Sequence, residues 1–209
     1  VRAPHAFGQE QLLPPLMQFL TRYPQLSIEW KLNDRSVDFL SDDIDCAIRV
    51  GAEVDPATVS VLLAEVPRSV VASPALLAQF TAPAHPDDLS ALPWVALSTF
   101  YHQHIELYKR GEKEPTRVAI SPRLSTDSLY VARNTALMGL GIAAVSSWTV
   151  EEDIREGRLV HLLPDWQPAP LPVHLVYPWS RYYPARLRRF LEMMREIMPQ
   201  MAGMRKPLA

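Results

Sequence analysis

The hydrophobic pattern of the chain is organised around a short apolar run, Cys46-Ala47-Ile48-Arg49-Val50, led in by Asp43 and Asp45 and closed by Gly51. Apart from Arg49 every position in it is apolar, which predicts a strand covered on both faces, as in a central parallel strand. Upstream, Leu26, Ile28, Trp30 and Leu32 alternate with Ser27, Glu29 and Lys31 in strand period, and Val1-Arg2-Ala3 reads as the end of another strand. Between them lie a loop, Pro4-His5-Ala6-Phe7-Gly8, and a helix predicted from about Gln9 to Tyr23, closed by Pro24. A short amphipathic helix with Val37, Phe39 and Leu40 completes a strand, helix, strand, helix, strand order, which implies right-handed parallel crossovers. On the first helix, Leu12, Leu13, Leu16, Met17, Phe19, Leu20 and Tyr23 cover an arc of roughly 160°, wider than the ~100° stripe one core requires. That width predicts contact with a second chain; a helix buried more deeply within one domain would show the same pattern.

Further along, after an Asp55-Pro56 turn, Val59 to Pro67 and Ser69 to Ala72 read as extended, and Ser73-Pro74 opens a helix with proline at its favoured first position. His85 to Leu89 has the pattern of a capped turn. Trp94 to Leu97 is a strand ending in Ser98-Thr99-Phe100, and His104 to Ser121 forms a hairpin around Arg110-Gly111-Glu112. A second unit then repeats the logic of the first. Leu124 leads to Ser125-Thr126-Asp127-Ser128 as a helix cap, a helix to about Met138, Gly139-Leu140-Gly141 as its stop, and a strand from Ile142 to Val145. Trp148 to Glu156 reads as helix, Leu159 to Leu163 as strand, Pro164 to Pro172 as a proline-rich connector and Val173 to Tyr177 as strand. The final amphipathic helix runs from Pro184 to Met198.

Composition narrows the function classes. With 209 residues, 48% hydrophobic and 21% charged, the chain can bury a substantial core as one large or two small α/β units. A net charge of −2 argues against this segment itself wrapping nucleic acid or coating a membrane. No apolar run is long enough to span a bilayer and no secretory leader pattern is visible, so a cytoplasmic home is expected. The single cysteine, Cys46, permits neither a disulfide framework nor a thiolate metal site. Opening on Val1, partway through a strand, the sequence is expected to belong to a longer protein.

Candidate chemistry begins with Arg49. It stands at the carboxyl end of its strand, the edge where ligands bind in open α/β sheets, and its permanently charged fork requires an anion. A ligand would serve, and so would Asp34 or Asp45. His102 and His104, two apart on a strand, project to one side like zinc ligands, but no third ligand follows with suitable spacing, so a polar strand is the more ordinary reading. No Ser/His/Asp arrangement or glycine-rich phosphate loop is legible, and Gly139-Leu140-Gly141 follows a helix rather than opening one. Neither an enzyme nor a metal or cofactor is expected.

Seven segments in order carry a resemblance to a known family. They are Phe7-Gly8 leading to Arg22-Tyr23-Pro24, Asp45 through Gly51, Ala72-Ser73-Pro74, Gly139 through Ala143, Gly157-Arg158-Leu159-Val160, Leu175 through Pro178, and the arginine-flanked helix around Arg186 to Phe190. Over essentially its whole length the chain resembles the effector-binding domain of LysR-type transcriptional regulators. It departs from the family at Ser146-Ser147, where a proline is usual, and in the hairpin around Arg110, which lacks a frequent tryptophan.

The resemblance implies a fold like that of type 2 periplasmic binding proteins, with two Rossmann-like α/β subdomains joined by two crossover segments. Residues 1–71 with 173–209 would form one subdomain and 72–172 the other. It also implies an N-terminal winged helix-turn-helix outside this chain, through which the protein meets DNA, and assembly as a homodimer or homotetramer. The expected activity is sensing of a small effector, a carboxylate or similar anion, in the inter-lobe cleft. Helix N-termini after Phe7 and after Thr126 would offer N–H groups to it. Pro4, His5, Ala6 and Phe7 would border it, Asn33, Asp34, Ser98 and Thr99 would orient it, Phe7 and Phe100 would wall it, and Arg49 would neutralise it. Asp127, expected as the cap of the second helix, would repel an anion and leaves the first helix as the better donor. A transporter's solute-binding protein would share this fold and is the rival reading.

Overall fold

The computed structural model describes residues 1–35, 38, 39, 41–51 and 56–207. These form two compact units, Val1–Glu65 with Leu171–Ala209, and Val66–Pro170.

In the first unit β1 (Arg2–Ala3) stops at Pro4, which has no N–H for the ladder, and α1 (His5–Glu10) starts immediately behind it. The continuous helix expected from Gln9 to Tyr23 is broken. Pro14 and Pro15 suit a first turn but not a helix interior, so α1 ends at Glu10 and α2 (Leu13–Arg22) begins anew. α2 buries Leu16 and Phe19, while Leu13 and Met17 stay exposed. Gly8 is where α1 crosses the sheet: a methyl group there would collide with the Leu32 side chain. β2 is only Lys31–Leu32, far shorter than the alternation from Leu26 predicts, because its ladder with β1 covers just Arg2↔Lys31 and Ala3↔Leu32. β3 (Ala47–Val50) and β4 (Thr58–Val66) follow. Val37 and Leu40 of the expected short helix, and Asp55 of the expected turn, lie outside the described residues.

The second unit opens with β5 (Arg68–Ala72) and α3 (Pro74–Leu77), whose N-cap Ser73 accepts a hydrogen bond from the Leu76 N–H. After a 3₁₀ turn at Pro86–Ala91 come β6 (Trp94–Leu97), the hairpin β7 (His104–Lys109) and β8 (Pro115–Ala119), and β9 (Pro122–Thr126). α4 (Leu129–Leu137) leads to β10 (Ala143–Ser146) and, past a 3₁₀ turn, to α5 (Glu151–Arg155). β11 (Val160–His161) and β12 (Trp166–Pro168) complete the unit. Part of the expected proline-rich connector is therefore strand: β12 lies at the edge of the β12-β7-β8 sheet, where proline is tolerated. β13 (Leu171–Pro178) and α6 (Ala185–Ile197) return to the first unit.

The first sheet has the order β2-β1-β3-β13-β4. β1 runs parallel to β2 and β3, but β13 is antiparallel to β3, so the central strand is parallel on one side only. In the second unit β6 pairs in parallel with β9, and a further parallel bridge joins Trp94 to Ile142. Trp94 is fully buried with its indole N–H on the Leu89 carbonyl at 2.8 Å. The buried Tyr101 hydroxyl donates to the Val95 carbonyl and accepts from the Ala144 N–H, both at 2.9 Å, and burial pushes its pKa up to about 12. Asp153 is 0% exposed and held by Arg133 on one oxygen and Arg158 on the other, each reaching it at 2.6 Å.

Two consequences are measurable. At Gly141 a Cβ would stand 2.8 Å from the Pro93 carbonyl oxygen, against backbone that cannot turn aside. Gly141→Ala should therefore cost about 1–3 kcal/mol and lower the melting temperature by several degrees in a thermal denaturation. Removing both arginines from Asp153, as Arg133→Met with Arg158→Met, strands a buried carboxylate. Urea unfolding should show a larger loss than for Asp153→Asn, which leaves two cations that can reach water.

Candidate functional site

Because β1, β2 and β3 are adjacent and parallel, their carboxyl ends finish at one edge of the first sheet, and this collects Pro4, Asn33, Asp34 and Arg49 there. The Asn33 N–H closes the ladder on the Ala3 carbonyl at 2.9 Å, and the Asn33 side-chain oxygen accepts from the Arg35 N–H at 2.9 Å. The Arg49 guanidinium donates to the Arg35 carbonyl at 3.3 Å. Asp34 Oδ1 accepts from the His5 N–H, the first amide of α1, at 3.1 Å.

That last bond corrects the expected division of labour. α1 begins at His5, Phe7 lies inside it, and the leading amide already meets a carboxylate of the chain itself. Arg49 thus brings a positive charge to this edge, where the helix terminus is already occupied. Ala6 and Phe7 are buried, Phe7 at 4% exposure, because the helix turns them inward, and His5 is exposed. One residue escaped the sequence reading. His174 on β13 stands directly across the ladder from Arg49, with Nδ1 shielded from solvent, and burial lowers its pKa against the opposing effect of the Gly51 backbone. Its signal would have been the register of an antiparallel partner more than a hundred residues away, which no local pattern carries.

The second unit builds a similar edge where β6 and β9 end side by side. Ser98 donates its N–H to the Thr126 carbonyl at 2.8 Å, tying the two strand ends together. Ser98, Phe100 and Thr126 are half-buried, whereas Thr99 and Asp127 are exposed. Asp127 is not the cap of the following helix. β9 runs on through Thr126, and the chain turns one residue later than expected, so that Ser128, in extended conformation, accepts the Val131 N–H at 3.4 Å. Thr126 Oγ1 accepts the Ser128 N–H at 3.1 Å. Among the described residues no group of three or more His, Cys, Asp or Glu could hold a metal ion, and His104 Nδ1 instead lies 3.1 Å from the Arg117 guanidinium. No helix among them is long and apolar enough to cross a membrane.

Units of mixed α/β structure with polar strand-end edges define a binding domain of the periplasmic-binding-protein type. The chain belongs to the LysR substrate binding domain family, whose model matches residues 1–199, and is an effector-sensing domain of that kind. It is 33% identical over 190 residues to the HTH-type transcriptional regulator DmlR of Escherichia coli, covering 91% of this chain and 62% of that protein. It is 28% identical to the HTH-type transcriptional regulator PtxR of Pseudomonas aeruginosa, covering 94% and 62%. The chain thus spans about three-fifths of the length of these relatives. Among solved structures it resembles the regulatory domain of CrgA, a LysR-type transcriptional regulator from Neisseria meningitidis, with a TM-score of 0.76, 26% identity, and 93% and 95% of the two chains covered. The fold also matches the regulatory domain of AphB from Vibrio vulnificus, with a TM-score of 0.75, 24% identity, and coverage of 92% and 95%.

The identity of the α4 cap is open to a direct check. Ser128→Ala should cost about 1 kcal/mol in chemical denaturation, while Asp127→Ala should leave the midpoint within error.

Proposed function

We propose that this domain binds a small anionic effector of the carboxylate class, with Arg49 as the charge that neutralises it and His5, Asn33, Asp34 and Pro4 shaping the edge around it. Arg49's position level with the ends of β1 and β2, in a chain of this family, is the observation that carries the reading. A forked, permanently charged donor suits the two oxygens of a carboxylate. Asp34 occupies the first amide of α1, which keeps that helix end from competing for the effector. His174 stands across the ladder from Arg49, and burial lowers its pKa, which favours the uncharged imidazole there. Ser98, Thr99 and Thr126 give the second unit an edge of hydroxyls, with Phe100 as an apolar wall and Asp127 as a carboxylate beside them, suited to orienting an effector rather than neutralising it.

In this reading residues 1–71 with 173–209 and residues 72–172 act as two regulatory subdomains whose closure responds to the effector. The whole protein is a cytoplasmic homodimer or homotetramer that binds DNA through an N-terminal winged helix-turn-helix. Catalysis has no place in it, in keeping with relatives named as transcriptional regulators.

A thermal-shift screen of aromatic and aliphatic carboxylic acids tests the proposal. An acid at a hundred times its Kd should stabilise the domain by about 2.7 kcal/mol, raising the melting temperature by several degrees. Arg49→Ala should abolish that rise at the same concentration. A screen in which hits retain their full shift on Arg49→Ala would place the pocket elsewhere.

A further inference from the structure

The segment Pro178-Trp179-Ser180-Arg181-Tyr182-Tyr183-Pro184, which joins β13 to α6, presents its aromatic side chains to water. Trp179 is 75% exposed and Tyr182 77%. It is nevertheless firmly built. The Ser180 hydroxyl bonds the Tyr182 carbonyl at 2.9 Å, the Tyr183 hydroxyl donates to the Pro178 carbonyl at 3.2 Å, and the Tyr183 ring packs edge-on against Tyr177. Core formation explains Tyr183 but not Trp179 or Tyr182.

Charge is equally uneven. Between Pro178 and Leu191 stand Arg181, Arg186, Arg188 and Arg189 without one acidic residue, in a chain of net charge −2. Arg189 pairs with Glu192 at 3.0 Å, and Arg181 stacks on Tyr182 at 5.5 Å from the ring centre. Arg186 and Leu187, in the first turn of α6, also line a pocket of about 110 Å³ floored by Phe19, Leu26, Ile28 and Phe190. That is smaller than the ~150 Å³ cavity that admits benzene, and it suits one aliphatic side chain. Glu29, Asp43 and Asp45 also line it.

We propose that this loop, the first turn of α6 and the adjoining pocket form a docking surface for a peptide segment of a partner protein. The segment inserts one aliphatic side chain into the pocket and lays carboxylates on Arg181, Arg186 and Arg188. Exposed Trp, Tyr and Arg are the residue types that dominate protein interfaces, and a loop already fixed by its own hydrogen bonds loses little freedom on binding. The carboxylates of Glu29, Asp43 and Asp45 in the pocket lining repel a polyanion, so the complement is a protein segment with its charge to one side of the inserted side chain and not a nucleic acid backbone.

The test uses the 209-residue chain and a fluorescein-labelled peptide carrying one leucine beside a run of glutamates, followed by anisotropy. Its glutamine counterpart and a single-stranded oligonucleotide of similar length serve as controls, with sedimentation velocity run in parallel. The glutamate peptide should bind saturably, the glutamine peptide about tenfold more weakly. Arg181→Glu with Arg186→Glu should also weaken it about tenfold, and Trp179→Ala measurably, with melting temperatures unchanged because all three side chains are at the surface. The proposal falls if the glutamate peptide does not bind, if these variants leave its affinity intact, or if the oligonucleotide binds as tightly. It falls equally if the wild-type chain self-associates and the double charge reversal dissolves that association, since the surface then belongs to a second copy.

Discussion

In a parallel sheet the ladder hydrogen bonds decide which residues finish level with one another. Here the Arg2 N–H on the Cys46 carbonyl, the Lys31 N–H on the Val1 carbonyl and the Asn33 N–H on the Ala3 carbonyl lock β1, β2 and β3 into a single register. Shift any one of these strands by a residue, and side chains that now share an edge would alternate to opposite faces. Arg49 would lose the Arg35 carbonyl, and Asp34 would lose the first amide of α1. Backbone pairing deep in the unit is therefore what gives the polar edge its chemistry.

Much of this was legible before the structure, for a physical reason. Strands that are buried on both faces are written as contiguous apolar runs, so Trp94–Leu97 stands out, and the apolar run interrupted only by Arg49 marks Ala47–Val50, and with them their polar ends. Turns that demand left-handed backbone also declare themselves: Gly111 and Gly139 have φ of 86° and 78° at the hairpin tip and the end of α4. Periodicity spoke less clearly at Leu12 to Leu16, where the apolar spacing runs straight through a break that only Pro14-Pro15 betrays. It missed β12, an edge strand whose existence depends on β7 for a partner. Which hydroxyl caps α4, and which carboxylate meets α1, depended on where strands end to within one residue, a precision that residue patterns do not carry.

Both units handle charge in contrasting ways. Asp153 is wholly buried yet satisfied by two forked arginines, one of which also reaches it from α4, so that α4 and α5 are tied through a single carboxylate. Around α6 the arginines stay at the surface, where Arg189 pairs with Glu192 and Arg195 donates to the Tyr177 hydroxyl. Buried charge at Asp153 fixes structure, whereas the arginines of α6 keep their charge at the surface.

Cys46, the one thiol of the sequence, has no exposed surface, and burial pushes its pKa up to about 12. At neutral pH it is neither ionised nor accessible, so alkylating reagents and oxidants have no purchase on the native domain. Because Cys46 adjoins the very strand from which Arg49 extends, its reaction with a thiol reagent would time the opening of that sheet, an internal clock for unfolding that requires no introduced label.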